Sequence, residues 1–237
     1  MFDEKKNFIF DLYGTLVDIR TDENMPILWS TMARYYSMKG AHYDEAEFHE
    51  AYSELCAKLV AKAAGKRHSE GIEIDLAQVF KELFTNKGSR VFSSEVEAAA
   101  ITFRSISTVK LCLFPDALDV LRKLRKDGKK LFLFTNAQAA FTIPELESLD
   151  IYGMFEGVQI SSVIGAQKPS KKFFDAAIKN TGINVKESVM IGNDEFSDIR
   201  GSMAAGLDAC YIQTEQSPTV AHNLPCPSIR SLGELLG

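Results

Sequence analysis

The residues that can do chemistry in this chain stand in four short segments, each behind an apolar run. Asp11-Leu12-Tyr13-Gly14-Thr15 follows Phe8 to Phe10, and Thr135-Asn136 follows Leu131 to Phe134. Lys168-Pro169 follows a run ending near Ile164, and Gly192-Asn193-Asp194, with Asp198 four residues on, follows Val189 to Ile191. Singly, each has an ordinary reading: an Asp is a turn former or helix cap, a Thr-Asn pair a cap, a Lys-Pro pair a solvated loop. Gathered at one point they would make a carboxylate, a hydroxyl, an amide, an ammonium and further carboxylates, a set suited to displacement at an anionic centre. Asp11 would be the nucleophile, forming a covalent intermediate that splits one hard step into two. Lys168 would neutralise charge on nucleophile and substrate, and Thr135 and Asn136 would donate hydrogen bonds to substrate oxygens. Asp194 with Asp11 could hold Mg²⁺, a hard cation that takes carboxylate and carbonyl oxygens. Without the metal or the lysine, Asp11 and a phosphate would repel each other.

The elements that must position these residues are legible from periodicity. Phe8–Phe10, Leu131–Phe134, Val158–Ile160, Val189–Ile191 and Ala209–Ile212 are short apolar runs, with helical patterns between the later ones. Ala117, Val120, Leu121 and Leu124 recur at helical spacing with Gly128 placed to stop that helix. Ser170 can cap a helix carrying Phe173, Phe174, Ala177 and Ile178, ended by Gly182. Strands alternating with helices predict an α/β fold with a doubly wound parallel sheet and right-handed crossovers. Ligands of such sheets bind outside the carboxyl ends of the strands, where the four polar segments lie. The stretch 19–110 differs. It shows four helical faces, around Leu28, Met32 and Tyr35, around Phe48, Tyr52, Leu55 and Leu59, around Leu76, Val79, Phe80 and Leu83, and around Val96, Ala100, Phe103 and Ser107, and no clear strand. We read a core of residues 1–18 and 111–237 with an inserted all-helical unit over 19–110, and a loop over 217–227 with its three prolines.

Composition narrows the function classes. The 237 residues are 46% hydrophobic and 25% charged, ordinary globular values, with a formal net charge of −5. That balance argues against a nucleic-acid surface, so a small anionic substrate must be attracted locally. No apolar stretch approaches the ~18 residues that span a bilayer, and the N-terminus does not read as a secretory signal. Cys56, Cys112, Cys210 and Cys226 are far apart, with no CxxC pair, and read as free thiols in a reducing cytoplasm.

The segment FIFDLYGTL over residues 8–16 resembles the first motif of the haloacid dehalogenase superfamily. Thr135 matches its second motif, Lys168-Pro169 its third, and Gly192-Asn193-Asp194 to Asp198 its fourth; IRGSMAAG over 199–206 resembles the helix that follows. The resemblance implies a Rossmann-like core, Asp11 as nucleophile, and a helical (type 1) cap where the insertion falls, closing over the site. It also implies Mg²⁺ held by Asp11, the backbone carbonyl of Tyr13 and a fourth-motif acid, with Thr15, Asn193 and Asp198 in support. Counting from Gly192, Asn193 takes the first-acid place; counting back four from Asp198 picks Asp194, which we take as the ligand.

Two departures bear on the reaction. Family phosphatases carry a second Asp two residues after the nucleophile as general acid and base, and here that residue is Tyr13. A phenol of ordinary pKa, about 10, is a poor base at neutral pH, and a missing acid/base typically costs ~10² to 10⁴ in rate. The Asp-x-Tyr-Gly-Thr form resembles the 2-haloacid dehalogenases, whose halide leaves without a proton and which need no metal. Against this, Asp194 and Asp198 are kept, and Phe174 stands where dehalogenases carry Tyr. The reading is therefore a Mg²⁺-dependent phosphatase of a small phosphorylated metabolite. A metal-independent 2-haloacid dehalogenase and a non-catalytic binding protein are the alternatives. Lys62, Lys66, Arg67 and His68 are read as a solvated helix end, Arg34 as a surface residue, Trp29, Tyr35 and Tyr36 as core, and His42, His49 and His222 are given no role.

Overall fold

The computed structural model describes residues 2–65, 71–218 and 224–237. β1 (Asn7–Phe10) leads into the Asp11 loop, and β2 (Val17–Thr21) carries the chain to four helices, α1 (Pro26–Met38), α2 (Glu45–Ala64), α3 (Leu76–Thr85) and α4 (Ser93–Ser107). β3 (Thr108–Leu113) returns it. The second half alternates: α5 (Ala117–Lys126), β4 (Lys130–Thr135), α6 (Ala139–Ser148), β5 (Gly157–Ile160), the single turn α7 (Ser161–Ile164), α8 (Lys171–Thr181) and β6 (Ser188–Gly192). A π-wound turn over Glu195–Arg200 then runs into α9 (Gly201–Ala204), followed by β7 (Asp208–Ile212) and the short β8 (Ser228–Ile229).

Six strands form one parallel sheet in the order β5-β4-β1-β6-β7-β8. The chain fills one side of β1 and then the other, so the strand order reverses at β1. The sheet is buried on both faces, which is why its strands read as continuous apolar runs. Phe8, Phe10, Leu131, Leu133, Val189 and Ile191 pack on one face with Val120, Leu121 and Leu124 of α5. Ile9, Phe132, Phe134 and Met190 pack on the other with Phe173, Phe174 and Ala177 of α8. Ser170 caps α8 by accepting from the Phe173 amide, and Gly182 ends it at φ +64°, as their types predict.

The reading of 19–110 as purely helical needs correction. β2 and β3 form an antiparallel ribbon, pairing Val17 with Leu113 and Arg20 with Lys110, which straddles both expected boundaries. The run expected to end near Ile164 also divides, into β5 and the turn α7. The four helices pack around their own core of Leu28, Met32, Tyr36, Phe48, Phe80, Leu83 and Phe103, with Trp29 stacked at 4.0 Å on His49. Arg34 and Lys62 are exposed; Lys66, Arg67, His68 and His222 lie outside the described residues. All four cysteines are free, and no helix among the described residues is long and apolar enough to cross a membrane.

Candidate active site

The sheet reversal brings the loops after β1, β4 and β6 side by side. The Asp11 amide donates to the Ile191 carbonyl at 2.9 Å, so β6 fixes the first residue beyond β1. The next turn closes on one acceptor: the amides of Thr15, Leu16 and Val17 all converge on the Leu12 carbonyl, which leaves the Tyr13 carbonyl outside the turn's own bonds. Gly14 sits at φ +82°, and a Cβ there would lie 2.3 Å from Asn193 Nδ2, so the turn admits glycine on both counts. The Thr15 hydroxyl lies 3.2 Å from Asp11 Oδ2 and 3.3 Å from Asn193 Oδ1. Asn193 Nδ2 donates to the Gln216 carbonyl at 3.2 Å, which turns its oxygen towards Thr15.

Lys168 ties the other side of the nucleophile. Its side chain is 1% exposed, and its three N–H groups donate to Asp11 Oδ1 at 2.8 Å, Asp198 Oδ1 at 2.6 Å and the Phe134 carbonyl at 2.8 Å. Asp198 reaches this point because residue 192 is glycine: a Cβ there would meet Asp198 Oδ2 at 2.3 Å. That oxygen also accepts from the Asp194 amide at 3.1 Å. Burial pulls the Lys168 ammonium down, but Asp11 and Asp198 outweigh it and raise its pKa above the ordinary lysine value. Asp198 is pushed up to about 7, because burial disfavours its anion and the Asp11 charge adds to that against the pull of Lys168.

The Asp198 shift has a sign in stability. A carboxyl raised in the folded state binds more protons than in the unfolded chain, where its pKa is about 3.9. Its contribution is full below that value and is lost as pH rises through about 7. We therefore expect the melting temperature to fall between about pH 5 and about pH 8, and Asp198→Asn to flatten that slope. Thermal melts of both proteins across this range check it; an unchanged slope in the variant would refute the assignment.

Three expected residues sit differently from their sequence reading. Asn136 does not point its amide at a substrate: Oδ1 accepts from the Lys168 amide at 2.7 Å and Nδ2 donates to the Lys168 carbonyl at 3.0 Å. It braces the backbone that carries the ammonium. Asp194 Oδ1 caps the following turn, accepting from the Phe196 and Ser197 amides at 2.8 and 3.1 Å, while Asn193 is the fourth-motif side chain that shares Thr15 with Asp11. The Tyr13 phenol donates to Glu145 and lies 3.1 Å from Thr142 Oγ1, and burial, with the Glu145 charge second, raises its pKa. The Thr135 Oγ1 is buried and has no hydrogen-bond partner among the described residues.

A family model for haloacid dehalogenase-like hydrolases matches residues 5–206. The chain belongs to this family. It is 30% identical over 158 residues to a glyceraldehyde 3-phosphate phosphatase of Methanopyrus kandleri, a match covering 67% of this chain and 64% of that protein. The crystal structure of a 2-haloacid dehalogenase from Pseudomonas syringae pv. Tomato DC3000 superposes with a TM-score of 0.62 at 19% identity, covering 98% of this chain and 96% of that one. The magnesium-bound HAD hydrolase YfnB of Bacillus subtilis superposes with a TM-score of 0.57 at 19% identity, covering 98% and 97%. These likenesses establish the hydrolase family and its fold.

A second polar group, which the sequence analysis does not single out, lies beside the haloacid dehalogenase-like site. Glu73, between α2 and α3, accepts from Ser161 Oγ at 2.6 Å, Gln167 Nε2 at 3.0 Å and Gln138 Nε2 at 3.0 Å. Gln138 also exchanges bonds with the Ile74 carbonyl and the Leu76 amide, and the Gln167 amide donates to the Gly71 carbonyl. The helical unit is thereby tied beside both Asn136 and Lys168. Two polar residues flanking motif residues, Gln138 and Gln167, were the available signal.

Magnesium, which the family implies, can be tested against the donors. Among the described residues no cluster of three His, Cys, Asp or Glu could hold a metal ion. Asp11 Oδ2 and Asn193 Oδ1 flank the Thr15 hydroxyl, and the Tyr13 carbonyl, two residues from Asp11, takes none of the turn's own bonds; together they are a hard set with one formal charge. A Mg²⁺ ion is commonly held by one or two carboxylates with substrate phosphate and water completing its shell, so the set fits.

Proposed function

We propose that this protein is a Mg²⁺-dependent phosphohydrolase of a small phosphorylated metabolite, with Asp11 as nucleophile. The observation that carries the reading is the Lys168 ammonium bonded to Asp11 and Asp198 at the ends of the sheet strands. It leaves Asp11 Oδ2, held by Thr15, as the oxygen for attack or metal binding. The name of the Methanopyrus relative supports phosphate ester chemistry.

In the first step an Asp11 oxygen forms a bond to phosphorus, and the leaving oxygen departs with the bonding pair. In the second, water adds to phosphorus, the carboxylate leaves, and of the water's two protons one stays on the released phosphate and one ends on the leaving oxygen. Asp11, Asn193 and the Tyr13 carbonyl would hold the metal, which supplies charge stabilisation on the phosphoryl oxygens. Thr135 donates its unpartnered hydroxyl to a phosphoryl oxygen, Lys168 cancels charge on the nucleophile, and Asn136 fixes the Lys168 backbone. The helical unit of α1 to α4, entered and left through the β2–β3 ribbon, is proposed as a cap that excludes water.

A second reading has its own support. The phenol at position 13 is committed to Glu145, and halide departure needs no proton. That favours 2-haloacid dehalogenation. One experiment separates the two. Turnover of an activated aryl phosphate that disappears with chelator and returns with Mg²⁺ is the expected result. Halide release from 2-chloropropionate, untouched by chelator and without phosphate turnover, overturns it.

A further inference from the structure

Tyr13 stands two residues from the nucleophile, yet its side chain is engaged away from it. The phenol donates to Glu145 Oε2 and meets Thr142 Oγ1 at 3.1 Å. Glu145, on α6, is 6% exposed, and its other oxygen accepts from Arg104 Nε at 2.6 Å. Arg104 lies in the last turn of α4, in the helical unit, and its guanidinium sits 5.1 Å from the centroid of the Phe141 ring. One buried carboxylate thus joins the nucleophile loop, the helix after β4 and the last helix of the insertion.

Resting on the reading of Asp11 as nucleophile, we infer that Arg104, Glu145 and Tyr13 form a strap through which the helical unit sets the nucleophile loop, with Arg104 and Glu145 as positioning residues. The physical reason is that the parts are interdependent. Removing Arg104 strands a carboxylate that has little water to turn to, and removing the phenol leaves that carboxylate one donor short. The loop responds because it is short. Between Asp11 and the left-handed Gly14 there are two residues, so a shift of the Tyr13 ring moves the Tyr13 carbonyl and the Asp11 carboxylate together. The strap also accounts for a tyrosine at this position, since its reach to Glu145 is longer than an aspartate's.

The test is a double-mutant cycle with two readouts. Tyr13→Phe and Arg104→Met are each expected to lower kcat about tenfold or more on the aryl phosphate, with KM within about threefold. The double variant should be no slower than the slower single, because either cut opens the strap. Independently of activity, Arg104→Met should speed hydrogen exchange at the Gly14 and Val17 amides, bonded to Val17 and Leu12, by about tenfold. Arg104→Lys keeps the charge without the fork and should lie between wild type and the methionine variant, so a poorly folded Arg104→Met does not end the test. Losses that multiply in the double variant, or loop exchange at the wild-type rate in both Arg104 variants, overturn the strap. A wild-type protein that turns over neither phosphate nor haloacid defeats the functional reading, and the exchange measurement then still decides the strap.

Discussion

Asp11→Asn abolishes turnover of an activated aryl phosphate, with kcat falling at least ~10⁴-fold. The substitution is nearly isosteric. The amide oxygen can still accept from the Lys168 ammonium, its N–H can donate to the Thr15 hydroxyl, and the backbone bond to Ile191 is untouched, so the loop keeps its shape. What disappears is the nucleophile, because a neutral amide does not form the covalent intermediate. Loss should appear in kcat with the melting temperature near that of wild type, and acid-quenched wild type should carry one phosphoryl group on the peptide containing Asp11. A variant that retained more than about one per cent of wild-type kcat would show that another group attacks, and the mechanism would fail.

The sheet was readable for a physical reason. Its strands are covered on both faces, so Phe8–Phe10, Leu131–Phe134 and Val189–Ile191 are unbroken apolar runs that solvent-facing strands would not be. The ribbon of β2 and β3 was the harder case. Val17 and Ile19 alternate with Asp18 and Arg20, and Val109, Leu111 and Leu113 alternate with Lys110 and Cys112. The period-two signal was present, but over five or six residues beside strong helical faces it is easily absorbed into them.

At the site, sequence order found the converging loops and their charges but not the orientation of each side chain. Asn193 and Asp194 differ in what their side chains meet. Counting back four from Asp198 lands on Asp194, and the Asp198 amide does donate to the Asp194 carbonyl at 3.0 Å. But Asp194 caps the turn, its Oδ1 taken by the Phe196 and Ser197 amides, while Asn193 one residue earlier faces Thr15, a distinction of orientation that spacing does not carry. Asn136 was misread because a donor's type does not say whether a substrate or a backbone will take it. Glu145 and Arg104 carried no local signal: they are 41 residues apart, on α6 and α4, and only tertiary packing joins them.

Lys168→Met is expected to have the largest effect on stability. The ammonium holds two buried carboxylates and the Phe134 carbonyl, and methionine fills a similar length without any donor. Stranding a buried charge in this way costs about 3–5 kcal/mol, which in a chain of this size lowers the melting temperature by roughly 6–20 °C. Activity falls too, by ~10³-fold or more, because Asp11 then faces an anionic substrate with no ammonium to neutralise either. The two losses have different origins and separate in a second variant. Lys168→Met with Asp198→Asn removes one of the facing carboxylates, so most of the lost stability returns while turnover does not. Denaturant melts and kcat on the same preparations read both quantities. If the single variant melts with wild type, or the double variant is no more stable than the single, the Asp11–Lys168–Asp198 charge balance is not what holds this site together.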